Sequence, residues 1–255
     1  MNKIQQAFAN SKTLITYLTA GDPDLQSTKN FICALAEGGS DIIEIGIPFS
    51  DPTAEGPVIS AAMERALKNK ITLDNIFSMI AEVRKTVSVP LVFMTYLNSV
   101  FSYGYLRFFK KCREVGMNAI IVPDMPFEEQ DEIKEYVQKY DIANITLIAP
   151  TSRERIAELA SNAQGFIYLV SSLGLTGMRQ KITTDIAGLV KQIKEYAKVP
   201  VAVGFGISTP QQAHEIAQAA DGVIIGSAIV NIIAKHKENA AEEIVKYVKS
   251  IKEAL

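Results

Sequence analysis

The feature that most restricts this chain is a beat of short apolar runs separated by longer stretches of helical period. Residues 13–19, 41–45, 90–96, 119–122, 144–149, 166–170, 199–203 and 222–225 are each rich in Ile, Val, Leu, Phe or Tyr, and each is too brief for a globular helix. The segment 72–86 between two of them carries apolar residues three and four apart, at Leu73, Ile76, Phe77, Ile80 and Val83. Segments 25–37, 104–115, 128–140, 153–160, 184–196, 210–219 and 240–254 read as helices in the same way. Gly38-Gly39 and Gly116 mark helix stops, and Thr209-Pro210 supplies an N-cap and a proline in the first turn. Eight strand–helix units about thirty residues apart predict a parallel sheet closed into a (βα)8 barrel of the TIM type. An open, doubly wound sheet is the competing arrangement, and eight units in 255 residues favour closure. The chain reads as one domain over residues 1–255, with an extra N-terminal helix at 2–9 capping the barrel bottom.

Composition removes several functional classes. Net charge is −2 with both signs interspersed, so there is no basic stripe for nucleic acid. The N-terminus lacks a signal-peptide core and no run approaches a membrane span, so the expected location is the cytoplasm. The two cysteines, Cys33 and Cys112, lie in helical stretches as small apolar residues. His214 and His236 are far apart with no ligand cluster near either, so no metal site is expected.

In a barrel of this type chemistry sits at the carboxyl ends of the strands. Strand 41–45 carries Glu44 among apolar residues, where an ionised carboxylate costs several kcal/mol unless compensated. If Glu44 faces the barrel axis, desolvation raises its pKa toward neutrality. The loop Gly46-Ile47-Pro48-Phe49-Ser50-Asp51-Pro52-Thr53-Ala54 then delivers a second carboxylate, Glu55, and the two suit an acid/base pair. Glycines gather after the last three strands, in Ser171-Ser172-Leu173-Gly174-Leu175-Thr176-Gly177, Gly204-Phe205-Gly206 and Gly226-Ser227. Backbone amides there, with a short helix starting at Gly226-Ser227, form a cradle for a phosphate. Tyr168 is placed to point inward near Glu44, although a packed core tyrosine reads equally well. Tyr17, Phe93, Met94, Tyr96 and Phe205 near other strand ends would line an apolar slot.

The run from Glu44 to Pro52 with Gly56-Pro57 resembles the tryptophan synthase alpha subunit family. So do Leu18-Thr19-Ala20-Gly21-Asp22-Pro23, Val122-Pro123-Asp124-Met125-Pro126, the stretch from Tyr168 to Gly177, Gly204 to Ser208 and Gly226 to Val230. The resemblance implies a retro-aldol lyase that splits indole-3-glycerol phosphate into indole and glyceraldehyde 3-phosphate. It makes Glu44 the principal acid/base, Tyr168 its neighbour, and Gly177, Gly206, Gly226 and Ser227 the phosphate rest. It implies no cofactor in this chain; pyridoxal phosphate belongs to a beta subunit that takes the indole within an α2β2 heterotetramer. Pro48, Asp51, Asn98, Pro126 and Thr176 fall on the family's partner-facing and lid loops, with lids at 49–58 and 171–183. Glu55 stands where the family usually has an aspartate that stabilises the indolenine N–H. The extra methylene shifts a carboxylate by about an ångström, which can cost on the order of a hundredfold in rate unless the loop compensates. Compensation is the expectation; a stand-alone indole-releasing lyase and a catalytically weak regulatory subunit are the alternatives.

Overall fold

The computed structural model describes residues 3–9, 11–170, 185–204 and 206–255. Strands β1 (Thr13–Thr19), β2 (Ile42–Gly46), β3 (Leu91–Met94), β4 (Ala119–Ile121), β5 (Ala143–Ile148), β6 (Gln164–Val170), β7 (Val201–Gly204) and β8 (Gly222–Ile225) pair in parallel in that order and close β8 on β1. The described helices are α1 (Lys3–Ala7), α2 (Leu25–Gly38), α3 (Pro57–Lys68), α4 (Leu73–Val83), α5 (Leu97–Tyr103), α6 (Tyr105–Val115), α7 (Asp131–Tyr140), α8 (Ile156–Asn162), α9 (Ile186–Lys194), α10 (Pro210–Ala217), α11 (Ser227–His236) and α12 (Ala241–Lys252). The closed barrel is the predicted architecture.

Strand alternation divides the apolar residues into two cores. Ile15, Ile42, Val92, Ile121, Phe166, Ala202 and Ile224 fill the barrel interior. Leu14, Ile43, Ile45, Leu91, Ile120, Ile167, Val203 and Val223 face the helices. Phe93 belongs to this outer shell, contrary to its expected place in the slot. It packs edge-on against Phe77 of α4 at 5.7 Å and lies 6.2 Å from Phe108 of α6. Its neighbours in sequence, Val92 and Met94, take the inward positions.

The foot of the barrel is plugged as expected. Ile4 of α1 is buried in the interior cluster, and the Phe8 ring lies 5.7 Å from that of Phe166. A second fastening at the foot is Arg84, just after α4. Its Nε and Nη2 donate to Gly116 O at 3.0 and 2.7 Å, and Nη2 also donates to Asn118 Oδ1 at 2.8 Å. Its Nη1 donates to Val87 O and Val89 O at 3.2 and 2.5 Å. The side chain thus ties the approaches to β3 and β4 together.

Helix boundaries follow local signals. Thr72 and Asn75 form a capping box at the start of α4, and Thr209 caps α10 with Pro210 in its first turn. Gly39 and Gly116 end α2 and α6 in the left-handed region at φ 102° and 79°. Helices α3 and α5 were not expected. Gly56 and Pro57 open α3, and Ile59, Ala62, Met63 and Ala66 bury one face of it. Pro57 and Val58 therefore belong to a helix, and the loop over the mouth ends before them.

Candidate active site at the barrel mouth

Glu44 shares the inward face of β2 with Ile42, while Ile43 and Ile45 point outward. Its side chain is 1% exposed, and Oε1 has no hydrogen-bond partner among the described residues. Burial first, and the charge of Glu55 second, raise its pKa to about 8. At neutral pH the carboxyl therefore holds its proton. Tyr17 of β1 lies across the β1–β2 register from Glu44, and Tyr168 of β6 also faces the interior. Burial, with the two glutamates, pushes both phenols well up, so they stay neutral.

The β2–α3 loop folds back over the mouth and buries Glu55, which is 3% exposed. The Ala54 N–H donates to Tyr96 Oη at 3.1 Å, and the Phe49 ring stacks on Tyr96 with centroids 4.9 Å apart and planes 20° apart. Tyr17, Met94 and Tyr96 belong to the interior cluster, with Phe49, Ala54 and Val58 packed against it. The mouth is thus lined by apolar side chains with two buried carboxyl groups among them.

The other wall is made by strand ends bearing glycine. Gly206 adopts φ +85°, so its lack of a side chain answers a conformational need. Gly226 has no such need: it caps α11 at φ −120°. The nearest atoms that a Cβ there would meet belong to Tyr17, at 3.4 to 3.6 Å. Gly226 and Ser227 remain partly exposed at the positive end of a ten-residue helix. Tyr17 spans the space between: its Cβ end lies beside Gly226, and its hydroxyl lies over Gly46 at the end of β2. Glu44 and the α11 N-terminus are therefore joined across one tyrosine ring.

A family model described as tryptophan synthase alpha chain matches residues 4–255. The tryptophan synthase alpha chain of Lacticaseibacillus casei is 48% identical over 255 residues, covering all of this chain and 96% of that one. The chain belongs to the tryptophan synthase alpha chain family. A crystal structure of tryptophan synthase alpha chain from Legionella pneumophila superposes with TM-score 0.90 at 37% identity, covering 100% of this chain and 97% of the other. A structure of the tryptophan synthase α2β2 complex from Pyrococcus furiosus gives 0.84 at 37% identity, covering 94% and 97%. Membership makes this chain the lyase subunit that cleaves indole-3-glycerol phosphate.

The expected tryptophan synthase alpha site is assembled in part from described residues. The mouth brings together Glu44, Glu55, Tyr168, Tyr17, Met94, Tyr96, Gly226 and Ser227. Thr176, Gly177 and Phe205 lie outside the described residues. Asp51 and Pro126 are exposed and Pro48 is half-buried, on the loops after β2 and β4, whereas Asn98, expected on a loop, is exposed in the first turn of α5. Among the described residues no group of three His, Cys, Asp or Glu is placed to hold a metal ion, and no helix is long and apolar enough to cross a membrane.

Sequence reasoning missed what anchors α3. Asp22, 2% exposed after β1, accepts from Arg65 Nε and Nη2 of α3 at 2.8 and 2.7 Å. Asn69 just beyond α3 donates to Gly21 O at 3.1 Å. These bonds fix the helix that follows Glu55. The acidic residue in Gly21-Asp22-Pro23 was the available signal, but its partner lies 43 residues away and no local pattern connects them.

Proposed function

We propose that the chain acts as a single (βα)8 unit over residues 1–255, in which Glu44 is the general acid and base of indole-3-glycerol phosphate cleavage. The observation that carries this is the buried, inward carboxyl of Glu44, protonated at neutral pH and with one oxygen that has no hydrogen-bond partner among the described residues. Glu44 gives its proton to indole C3, which forms the indoleninium cation with its N–H retained. The resulting carboxylate takes the proton of the adjacent glycerol hydroxyl. The O–H electrons become the aldehyde C=O, the C–C bond breaks, and its electron pair restores the aromatic ring. Glu55 accepts the indole N–H hydrogen bond, which strengthens as positive charge grows on the ring. Tyr168 packs beside Glu44 and keeps water from it. Burial of Glu55 at 3% exposure, under a loop fastened to Tyr96, supports accommodation of its longer side chain.

The substrate phosphate rests on the amides of Gly206, Gly226 and Ser227, with Gly177 from the loop after β6. The indole ring lies among Tyr17, Met94, Tyr96 and Phe205. Pro48, Asp51, Asn98 and Pro126 face a beta subunit in an α2β2 assembly, and Thr176 belongs to the lid. The beta subunit holds the pyridoxal phosphate and condenses indole with serine to L-tryptophan. The setting is the cytoplasm, which agrees with the unpaired Cys33 and Cys112.

The test is indole release from indole-3-glycerol phosphate, with and without the beta subunit, for the native chain and Glu44→Gln. The variant is expected to lose on the order of a hundredfold or more. Near-normal release by Glu44→Gln removes Glu44 from the acid/base role.

A further inference from the structure

The loop that carries Glu55 is held at two points by one side chain. Tyr96 Oη accepts the Ala54 N–H, immediately before Glu55, and the Tyr96 ring stacks on Phe49 near the start of the loop. Tyr96 is 1% exposed, so it has little freedom of its own. Its backbone is the N-cap of α5, and the next amide, Leu97 N–H, donates to Asp124 Oδ1 at 2.9 Å. Helix α5 carries exposed Asn98, and Phe101 at 66% exposure, on the rim of the mouth. A phenylalanine at position 96 would fill the same volume and keep the stack. The hydroxyl oxygen serves the loop amide beside Glu55.

We propose that Tyr96 is the positioning residue for Glu55: its hydroxyl and ring seat the 47–56 loop, and they carry any displacement of α5 to the Glu55 carboxylate. This rests on the reading of Glu44 and Glu55 as the reacting pair. Electrostatics agree with the contact, because burial and then the Glu55 charge push the Tyr96 phenol up. The position of Glu55 can be read at Glu44. Among the described residues the groups that face Glu44 are Glu55 from the loop, Tyr17 from β1 and Tyr168 from β6, and both phenols stay neutral. Among the described residues Glu55 is then the one charge whose movement alters the titration of Glu44.

The experiment labels glutamate with 13C at Cδ and follows the Glu44 carboxyl against pH in the full chain, for the native protein, Glu55→Gln and Tyr96→Phe. Indole release is measured in parallel with the beta subunit present. Glu55→Gln sets the full downward shift of the Glu44 midpoint. Tyr96→Phe is expected to give part of that shift, with kcat down about tenfold and KM within about threefold. Stimulation by the beta subunit should shrink as well. If Tyr96→Phe titrates and turns over like the native chain, Tyr96 only fills space and the proposal is overturned. Should Tyr96→Phe not fold, Phe49→Leu loosens the same loop from the other side and is judged by the same two readouts. A native chain that releases no indole refutes the functional reading, while the carboxyl titration still decides whether Tyr96 seats Glu55.

Discussion

The mouth of this barrel buries an ionisable side chain and the foot half-buries one, and the two ends treat theirs in opposite ways. At the foot, Arg84 spreads its guanidinium over the carbonyls of Val87, Val89 and Gly116 and the side chain of Asn118. Burial lowers its pKa to about 10, so it stays charged at neutral pH. At the mouth, Glu44 has an oxygen with no partner among the described residues, and it stays neutral at the same pH. A buried group whose polar atoms are all engaged is a fastening. One left incompletely engaged stands ready for a ligand, and the fold tolerates the cost because the proton stays on.

The largest expected effect that separates the two ends is the pH dependence of stability. The Glu44 pKa is raised on folding, so its contribution is full below the unfolded value near 4.5 and is lost as pH climbs through about 8. Glu44→Gln should remove that loss. It should exceed the native chain in urea unfolding at about pH 9 by a few kcal/mol, on the order of 1.4 per unit of pH in the window, and match it near pH 5. Equal stability at alkaline pH would mean that the carboxyl is not desolvated. At the foot, Arg84→Met should cost about 3 kcal/mol by stranding several carbonyl groups, while kcat for indole release stays within about twofold. Loss of turnover without loss of stability would reverse the contrast.

Two smaller effects refine the mouth itself. Gly226→Ala has a negative φ and meets its nearest neighbour, Tyr17, at 3.4 Å, so its melting temperature should hold. Its KM should rise about tenfold if the α11 N-terminus cradles phosphate, and an unchanged KM would move the phosphate elsewhere. Glu55→Asp should leave turnover reduced or nearly unchanged, as expected of a loop adjusted to glutamate. A large gain would show that the loop has kept the geometry of aspartate.

Much of the fold was legible because parallel barrel strands advertise themselves by apolar content and spacing. Alternation set Glu44 on the face opposite Ile43 and Ile45 but left open which face is inward; the closed barrel turns Glu44, Tyr17 and Tyr168 to the interior. Phe93 failed for the same reason that Met94 succeeded: adjacent residues on a strand face opposite cores, and a bulky ring is welcome in either. Helix α3 was hidden by the double meaning of Gly56-Pro57, which suits a rigid loop and a helix start equally. Its apolar spacing was readable, but a scheme of one helix per strand leaves no room for it. The Asp22–Arg65 pair and the Tyr96–Ala54 bond join residues 43 and 42 positions apart, so only the closed barrel brings them together.

Two glycines at the rim, Gly46 and Gly204, lie directly beneath tyrosine hydroxyls, Tyr17 and Tyr168 respectively, and a methyl group at either would collide with the phenol above it. Volume at the rim is therefore shared between neighbours on adjacent staves rather than assigned to single positions. A bulkier or slimmer substrate ring calls for paired exchanges, a trimmed phenol with a filled glycine, and resizing by one residue at a time should stall at the first step.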